Sequence, residues 1–234
     1  MTAKQANAVQ RLREAAIARS TRPFLARGAR VKRCPECQLA LTACICAQRP
    51  QLDTSVSFCL LMHSLEPLKP TNTGRLIAEC LSDTQAFVWA RTEVDAQLLA
   101  LLADPAYQPY VVFPGEYALP EQVVYESIAP PPGRRPLLII LDATWTQARK
   151  MFRKSPYLAA LPVLSMHTEQ LSRYRLRRST RDDHLCTVEV AIAALALAGE
   201  EQAALQLNRY FETFSDAYLS AIRLRPGQGV GSGQ

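Results

Sequence analysis

Four of the seven cysteines fall close together, as Cys34-Pro35-Glu36-Cys37 and then Cys44-Ile45-Cys46. A two-residue gap lets two thiolates and the neighbouring backbone amides form a knuckle around one tetrahedral ion, and the second pair closes the site from the other side. Zinc is the natural occupant. Four sulfur ligands leave no open coordination position, so the site reads as structural, folding a segment with too little apolar surface to fold by itself. A redox pair would leave Cys44 and Cys46 unexplained, and disulfides suit a different compartment from the cytoplasmic one expected below. Cys59, Cys80 and Cys186 stand in apolar surroundings and read as small core residues.

Other chemistry gathers where apolar runs end. Leu137-Leu138-Ile139-Ile140-Leu141 leads into Asp142-Ala143-Thr144-Trp145 and then Gln147-Ala148-Arg149-Lys150-Met151. Asp142 could accept a proton or a hydrogen bond, Trp145 could stack on an adenine, a base or a sulfonium, and Arg149 could pair with a carboxylate or phosphate. A purely structural reading stands beside this one, with Asp142 or Thr144 capping a helix and Trp145 filling the core. Met62-His63 leads to Glu66 and then to Thr71-Asn72-Thr73-Gly74, while Phe113 leads to Pro114-Gly115, a turn that either admits a ligand to the backbone or only reverses the chain. His63 alone is more often a satisfied histidine than a catalyst. Tyr174-Arg175-Leu176-Arg177-Arg178 offers charges for phosphates and a ring for an exposed base. A glycine-rich dinucleotide fingerprint, a Walker loop and a Gly-x-Ser-x-Gly elbow are all absent from the sequence, so those functional classes lack their usual support.

The elements that must hold these groups follow from periodicity. Strands are expected at 56–62, 86–90, 110–113, 137–141 and 163–166, alternating with helices at 3–19, 74–81, 93–103, 146–153, 187–198 and 201–223. The alternation predicts an α/β fold with a mainly parallel sheet flanked by helices, and loops at the carboxyl ends of the strands are where such sheets bind ligands. At 234 residues the chain can bury one substantial core. The expected division is a basic helix and linker at 1–33, the knuckle at 34–50, the main domain at 51–225, and a disordered tail at 226–234.

Net charge is +6, and its distribution is uneven. Residues 1–33 carry nine Lys or Arg against the single acid Glu14, and residues 147–181 carry nine against Glu169, so the remainder is acidic. Such segregation suits a polyanion. No apolar run approaches the roughly 20 residues of a membrane span, and the N-terminus does not read as a signal peptide, so a soluble cytoplasmic protein without a membrane partner is expected.

Taken in order, these segments resemble the DTW-domain family, named for the Asp-x-Thr-Trp pattern seen at Asp142-Ala143-Thr144-Trp145. The resemblance runs from about residue 30 to 220. It includes His63 with Glu66, Thr71 to Gly74, Phe113-Pro114, Gln147 to Met151, Tyr174 to Arg177, the helix start at Thr187 and Glu189, and the cysteine spacing of the bacterial members. Cys186 departs from it, since a serine is more usual there.

The resemblance implies a fold related to the SPOUT methyltransferases, with a C-terminal trefoil knot. It also implies transfer of the 3-amino-3-carboxypropyl group of S-adenosylmethionine to N3 of a uridine in the tRNA variable loop, releasing methylthioadenosine. The partners implied are tRNA and S-adenosylmethionine, with a structural zinc ion, and the choice between monomer and homodimer stays open. Asp142 would be the base or would hold the donor's amino group. Asn72, Thr73, Pro114, Gly115, Thr144, Trp145 and Arg149 would bind the donor. Arg30, Lys32, Arg33, Tyr174, Arg175 and Arg177 would meet RNA. Two other readings remain: an RNA methyltransferase of the SPOUT kind, and a noncatalytic zinc-containing RNA-binding protein.

Overall fold

The computed structural model describes residues 6–21, 31–166 and 185–223. Arg30, Tyr174, Arg175, Arg177 and the tail 226–234 lie outside the described residues, as does the rest of 167–184.

Two apolar runs form the centre of the sheet. Strand β1 (Ser57–Met62) and strand β5 (Arg135–Asp142) pair in parallel, Phe58 opposite Leu138 and Met62 opposite Asp142. Both are buried on both faces, which is why they read as continuous apolar segments with no polar alternation. Strand β2 (Thr84–Val88) flanks β1, β3 (Tyr107–Val112) flanks β5, and the short β6 (Val163–Leu164) and β4 (Val124–Tyr125) complete the order β2-β1-β5-β3-β6-β4. Every pairing is parallel.

Successive side chains divide between two layers, as a period of two demands. Phe58, Leu60, Met62, Leu138 and Ile140 pack beneath helices α2 (Gly74–Cys80), α6 (Thr187–Leu197) and α7 (Glu201–Arg223), together with Cys34, Cys37 and Leu39. Cys59, Leu61, Ile139 and Leu141 face the opposite layer, built on α3 (Ala96–Ala103), α4 (Trp145–Arg153) and α5 (Pro156–Ala159). Helix α1 (Ala8–Arg19) packs against β2, α2 and the turn Glu66–Leu68.

Element limits follow local chemistry. Helix α1 begins at Ala8, later than expected, because Asn7 and Gln10 form a reciprocal capping box, and α3 begins behind Asp95, whose carboxylate accepts from Gln97 N–H at 2.8 Å. Strand β3 runs through Pro109, where a strand was not expected. Strand β6 joins only at Val111 and Val112, so Pro109 has a strand on one side only. Strand β4 escaped the sequence reading because its two residues are exposed.

Candidate functional site

The carboxyl ends of β1, β5, β3 and β6 open into a cavity of about 430 Å³. Asp142 ends β5 inside it, only 2% exposed. Its backbone carbonyl accepts from His63 N–H at 2.9 Å, locking the two central strands level at the rim. Its carboxylate accepts from Thr187 Oγ1 at 2.5 Å and from Asn72 Nδ2 at 2.7 Å. Burial pushes the carboxyl up to about 6; the two hydrogen bonds favour the charged form and hold it back, while nearby Glu66 adds to the rise. Gly74 makes the close approach possible, since a Cβ there would stand 2.4 Å from Asp142 Oδ2.

The loop after β1 supplies the polar side of the cavity. Asn72 Nδ2 also reaches Glu66 Oε2 at 3.3 Å, and Lys69 Nζ lies 2.5 Å from Glu66 Oε1. Glu66, Lys69, Asn72 and Thr73 all line the cavity. Two carboxylates sharing one amide, with a cation paired to one of them, make a surface suited to a zwitterionic group, with the acids for an ammonium and Lys69 for a carboxylate.

The other side is apolar and aromatic. Trp145, the first residue of α4, stacks on Phe113 with centroids 5.4 Å apart and meets Tyr117 edge-on at 5.6 Å. Val112, Ile140, Leu164, Met166 and Val190 form the inner wall. Thr144 caps α4, its backbone N–H donating to Gln147 Oε1 at 3.1 Å. Thr144 and Trp145 thus start a helix and also border the cavity.

Of the residues expected to bind a donor, Asn72, Thr73, Pro114, Thr144 and Trp145 come together with Asp142 around the cavity. Gly115 and Arg149 do not line it. Gly115 donates its N–H to Ser165 Oγ at 3.0 Å, and a Cβ there would come within 2.9 Å of Val124, so the glycine serves packing between loops. Arg149 is exposed and its guanidinium lies over the Tyr117 ring at 4.9 Å. His63 stacks against Trp89 outside the cavity. Lys32 is exposed, and Arg33 donates to Gln38 O at 2.9 Å within the knuckle.

Sequence reasoning gave no function to Thr187 or Lys69. Thr187 stood in the resemblance only as a helix start, and nothing in its neighbours foretells that it meets a carboxylate 45 positions away. Cys186 occupies the N-cap of α6, in extended conformation, with its N–H donating to Glu189 Oε2 at 2.8 Å. That position favours a serine, and a thiol retains its shape with a weaker hydrogen bond.

The four knuckle cysteines converge, their sulfurs all within 4.8 Å of one another. Cys34 and Cys46 sulfurs are 3.6 Å apart, and those of Cys37 and Cys44 are 3.8 Å apart. A zinc ion with bonds of about 2.3 Å in a tetrahedron requires sulfurs about 3.8 Å apart, so this donor set fits the ion. Cys34 N–H donates to Leu39 O at 2.8 Å, and Gln38 adopts φ 58°, turning the chain back under the first pair. Arg49 Nη2 lies 3.4 Å from Cys46 Sγ, while its guanidinium also meets Glu36 at 2.9 Å and Glu79 at 3.5 Å.

An all-parallel sheet with helices on both faces, and a cavity of cofactor size over the carboxyl ends of its central strands, defines a ligand-binding α/β protein. Residues 31–219 match the family profile described as DTW domain, and the chain belongs to that family. It is similar to proteins called tRNA-uridine aminocarboxypropyltransferase 2. The mouse (Mus musculus) relative is 25% identical over 171 residues, covering 70% of this chain and 55% of its own length. The Drosophila melanogaster relative is 25% identical over 175 residues, covering 72% and 67%. The Macaca fascicularis relative is 26% identical over 186 residues, covering 76% and 58%. The chain thus spans little more than half the length of the mouse protein. No solved structure matches it. No helix among the described residues is long and apolar enough to cross a membrane.

Proposed function

We propose that the protein is a tRNA-uridine aminocarboxypropyltransferase working in the cytoplasm, with S-adenosylmethionine as donor and N3 of a variable-loop uridine as acceptor. Residues 51–225 form its catalytic domain and 34–50 its zinc knuckle. Family membership and the names of the three relatives support the reaction class. The observation that carries the reading is the cavity itself. A buried carboxyl raised to about 6 sits between a polar rim fit for an amino-acid group and an aromatic wall fit for a flat, sulfur-bearing donor.

When bound, S-adenosylmethionine supplies an activated carbon whose departing sulfur leaves as a neutral thioether. The protein then has two tasks, orientation and removal of one proton. Asn72, Glu66 and Lys69 orient the amino-acid end. Phe113, Pro114 and Trp145 hold the aromatic and sulfur-bearing part, and the apolar inner wall shields the methyl carbon from attack. Asp142 accepts the N3 proton through its carboxylate. Should it instead hold the donor ammonium, the loop after β1 binds the same end of the donor with one more acid. In the knuckle Cys34, Cys37, Cys44 and Cys46 would hold a zinc ion, which would supply crosslinking and no reaction step, since four thiolates would fill its positions.

The test is incubation of the purified protein with unmodified tRNA and S-adenosylmethionine, then mass spectrometry of digested nucleosides and of the small-molecule product. Aminocarboxypropyl-uridine with methylthioadenosine is expected. A methylated nucleoside with S-adenosylhomocysteine would keep the donor and replace the reaction. Binding of tRNA with no product and no donor binding would leave a binding module.

A further inference from the structure

Among the described residues, the two basic stretches lie on opposite faces of the sheet. The knuckle, which follows the first, packs on the sheet face covered by α2, α6 and α7, whereas α4, which carries the described part of the second, packs on the opposite face. Helix α4 begins at Trp145 on the cavity rim, while Arg13 of the first stretch donates to Leu68 O at 2.8 Å, beside the loop that carries Glu66 and Lys69.

Helix α4 is divided lengthwise. Ala148, Met151 and Phe152 are buried against the sheet, while Arg149, Lys150, Arg153 and the C-cap Lys154 are exposed on the outward side. The run Trp145 to Lys154 contains no acid, and among the described residues no carboxylate stands within 4.0 Å of these four cations. Cations in a last helical turn are favoured by the helix dipole, which accounts for one or two of them. It does not account for Arg149, whose guanidinium is laid flat on Tyr117, itself in edge contact with Trp145. The arrangement fixes a planar cation beside the cavity and continues it as a line of charge away from the mouth. Four exposed cations on a well-packed helix, with no carboxylate within 4.0 Å among the described residues, are what a polyanionic backbone would neutralise.

We infer that the outward face of α4, with Arg149, Lys150, Arg153 and Lys154, is the track on which the phosphate backbone of tRNA lies, delivering the target uridine past Trp145 to Asp142. This rests on the reading of the protein as a tRNA enzyme. It gives Arg149 to the RNA and not to the donor.

The experiment measures binding of unmodified tRNA across a salt series, and binding of S-adenosylmethionine by calorimetry, for three proteins: the wild type, the triple variant Lys150→Gln, Arg153→Gln, Lys154→Gln, and Arg149→Gln. The triple variant is expected to bind tRNA at least tenfold more weakly at about 0.1 M salt, with its log–log salt slope shallower by about two to three, each lost phosphate contact contributing about 0.7 to 0.9. Arg149→Gln is expected to weaken tRNA binding about threefold to tenfold while donor affinity holds. Unchanged tRNA affinity and slope in the triple variant, with the wild type binding normally, would overturn the track. A donor affinity lowered by Arg149→Gln alone, with tRNA binding intact, would overturn the assignment of Arg149. If the triple variant also loses donor binding, the single variant Lys154→Gln, at the far end of the line, decides by its salt slope. Absence of both tRNA binding and product in the wild type would instead defeat the reading of the protein as a tRNA enzyme.

Discussion

Arg75 decides which way the Asn72 side chain faces. Its backbone N–H donates to Asn72 Oδ1 at 2.9 Å, which leaves Nδ2 as the end that must donate to Asp142 at 2.7 Å. The Arg75 side chain is itself held, with Nε 2.8 Å from Glu79 Oε1 and its guanidinium over Phe214. Glu79 in turn accepts from Tyr210 OH at 2.7 Å and meets Arg49, which reaches Cys46. An unbroken run of polar contacts therefore joins the knuckle to the carboxylate in the cavity.

That run predicts a coupling that contact alone does not establish. Arg49→Met removes its middle link, and breaking a buried ion pair costs about 3 kcal/mol or more. We expect a lower urea midpoint, faster transfer of zinc to a chromogenic chelator, and donor affinity weakened several-fold. A zinc-transfer rate equal to the wild type's would show that the knuckle stands alone.

Asp142→Asn keeps the shape of the side chain and removes the base. Turnover is expected to fall by about a hundredfold or more, with donor affinity nearly unchanged. Single-turnover transfer and calorimetry together check this. A donor affinity that collapses while turnover at saturation survives would make Asp142 the holder of the ammonium.

The raised pKa of Asp142 acts on turnover and on stability in opposite directions. Transfer by an ionised base rises with pH through about 6 and then levels. Stability runs the other way: the folded protein binds this proton more tightly than the unfolded chain, so the contribution is fully present below 3.8 and is lost as pH rises through about 6. A rise from 3.8 to about 6 corresponds to roughly 3 kcal/mol. Urea midpoints of the wild type and Asp142→Asn should therefore move in the variant's favour between about pH 4 and pH 7. Parallel curves for the two proteins would contradict the shift.

Gly74→Ala reverses an ordinary expectation. Alanine in a helix usually stabilises by about 1 kcal/mol over glycine, but here the added Cβ meets Asp142 Oδ2 at 2.4 Å. Destabilisation of about 1 to 3 kcal/mol is expected, with loss of donor binding. Thermal unfolding reports the sign, and a stabilised, active variant would refute the contact.

Cys186→Ser places a favoured N-cap residue at the start of α6. A gain of about 0.5 to 1 kcal/mol in stability is expected, with product yield within about twofold of the wild type. A large loss of either would mean that the thiol, which also lines the cavity, has a function of its own.

Much of this was legible in the sequence for definite reasons. β1 and β5 announce themselves because burial on both faces demands an uninterrupted apolar run. The four-cysteine cluster is legible because its members are close in sequence, so spacing alone constrains their geometry. Asp142 is legible because a polar residue directly after such a strand can only stand at the rim. Thr187 was not, since its contact with Asp142 spans 45 positions, and Lys69 was not, since its pairing with Glu66 three residues away says nothing of the cavity that both line. For Arg149 the charge was readable and the direction was not. Helical phase relative to the sheet, set by Met151 and Phe152, turns it away from the cavity.

The place of β5 in the sheet also bears on how the protein is made. It lies between β1 and β3, yet is the fifth strand synthesised, and Arg135 at its start reaches back across 80 positions to Ser55. A chain leaving the ribosome thus presents β1 with its inner edge open until Asp142 has emerged, and an apolar strand with an open edge invites pairing with other chains. Completion of the central strand pair, more than any local step, is what should limit the rate and yield of folding.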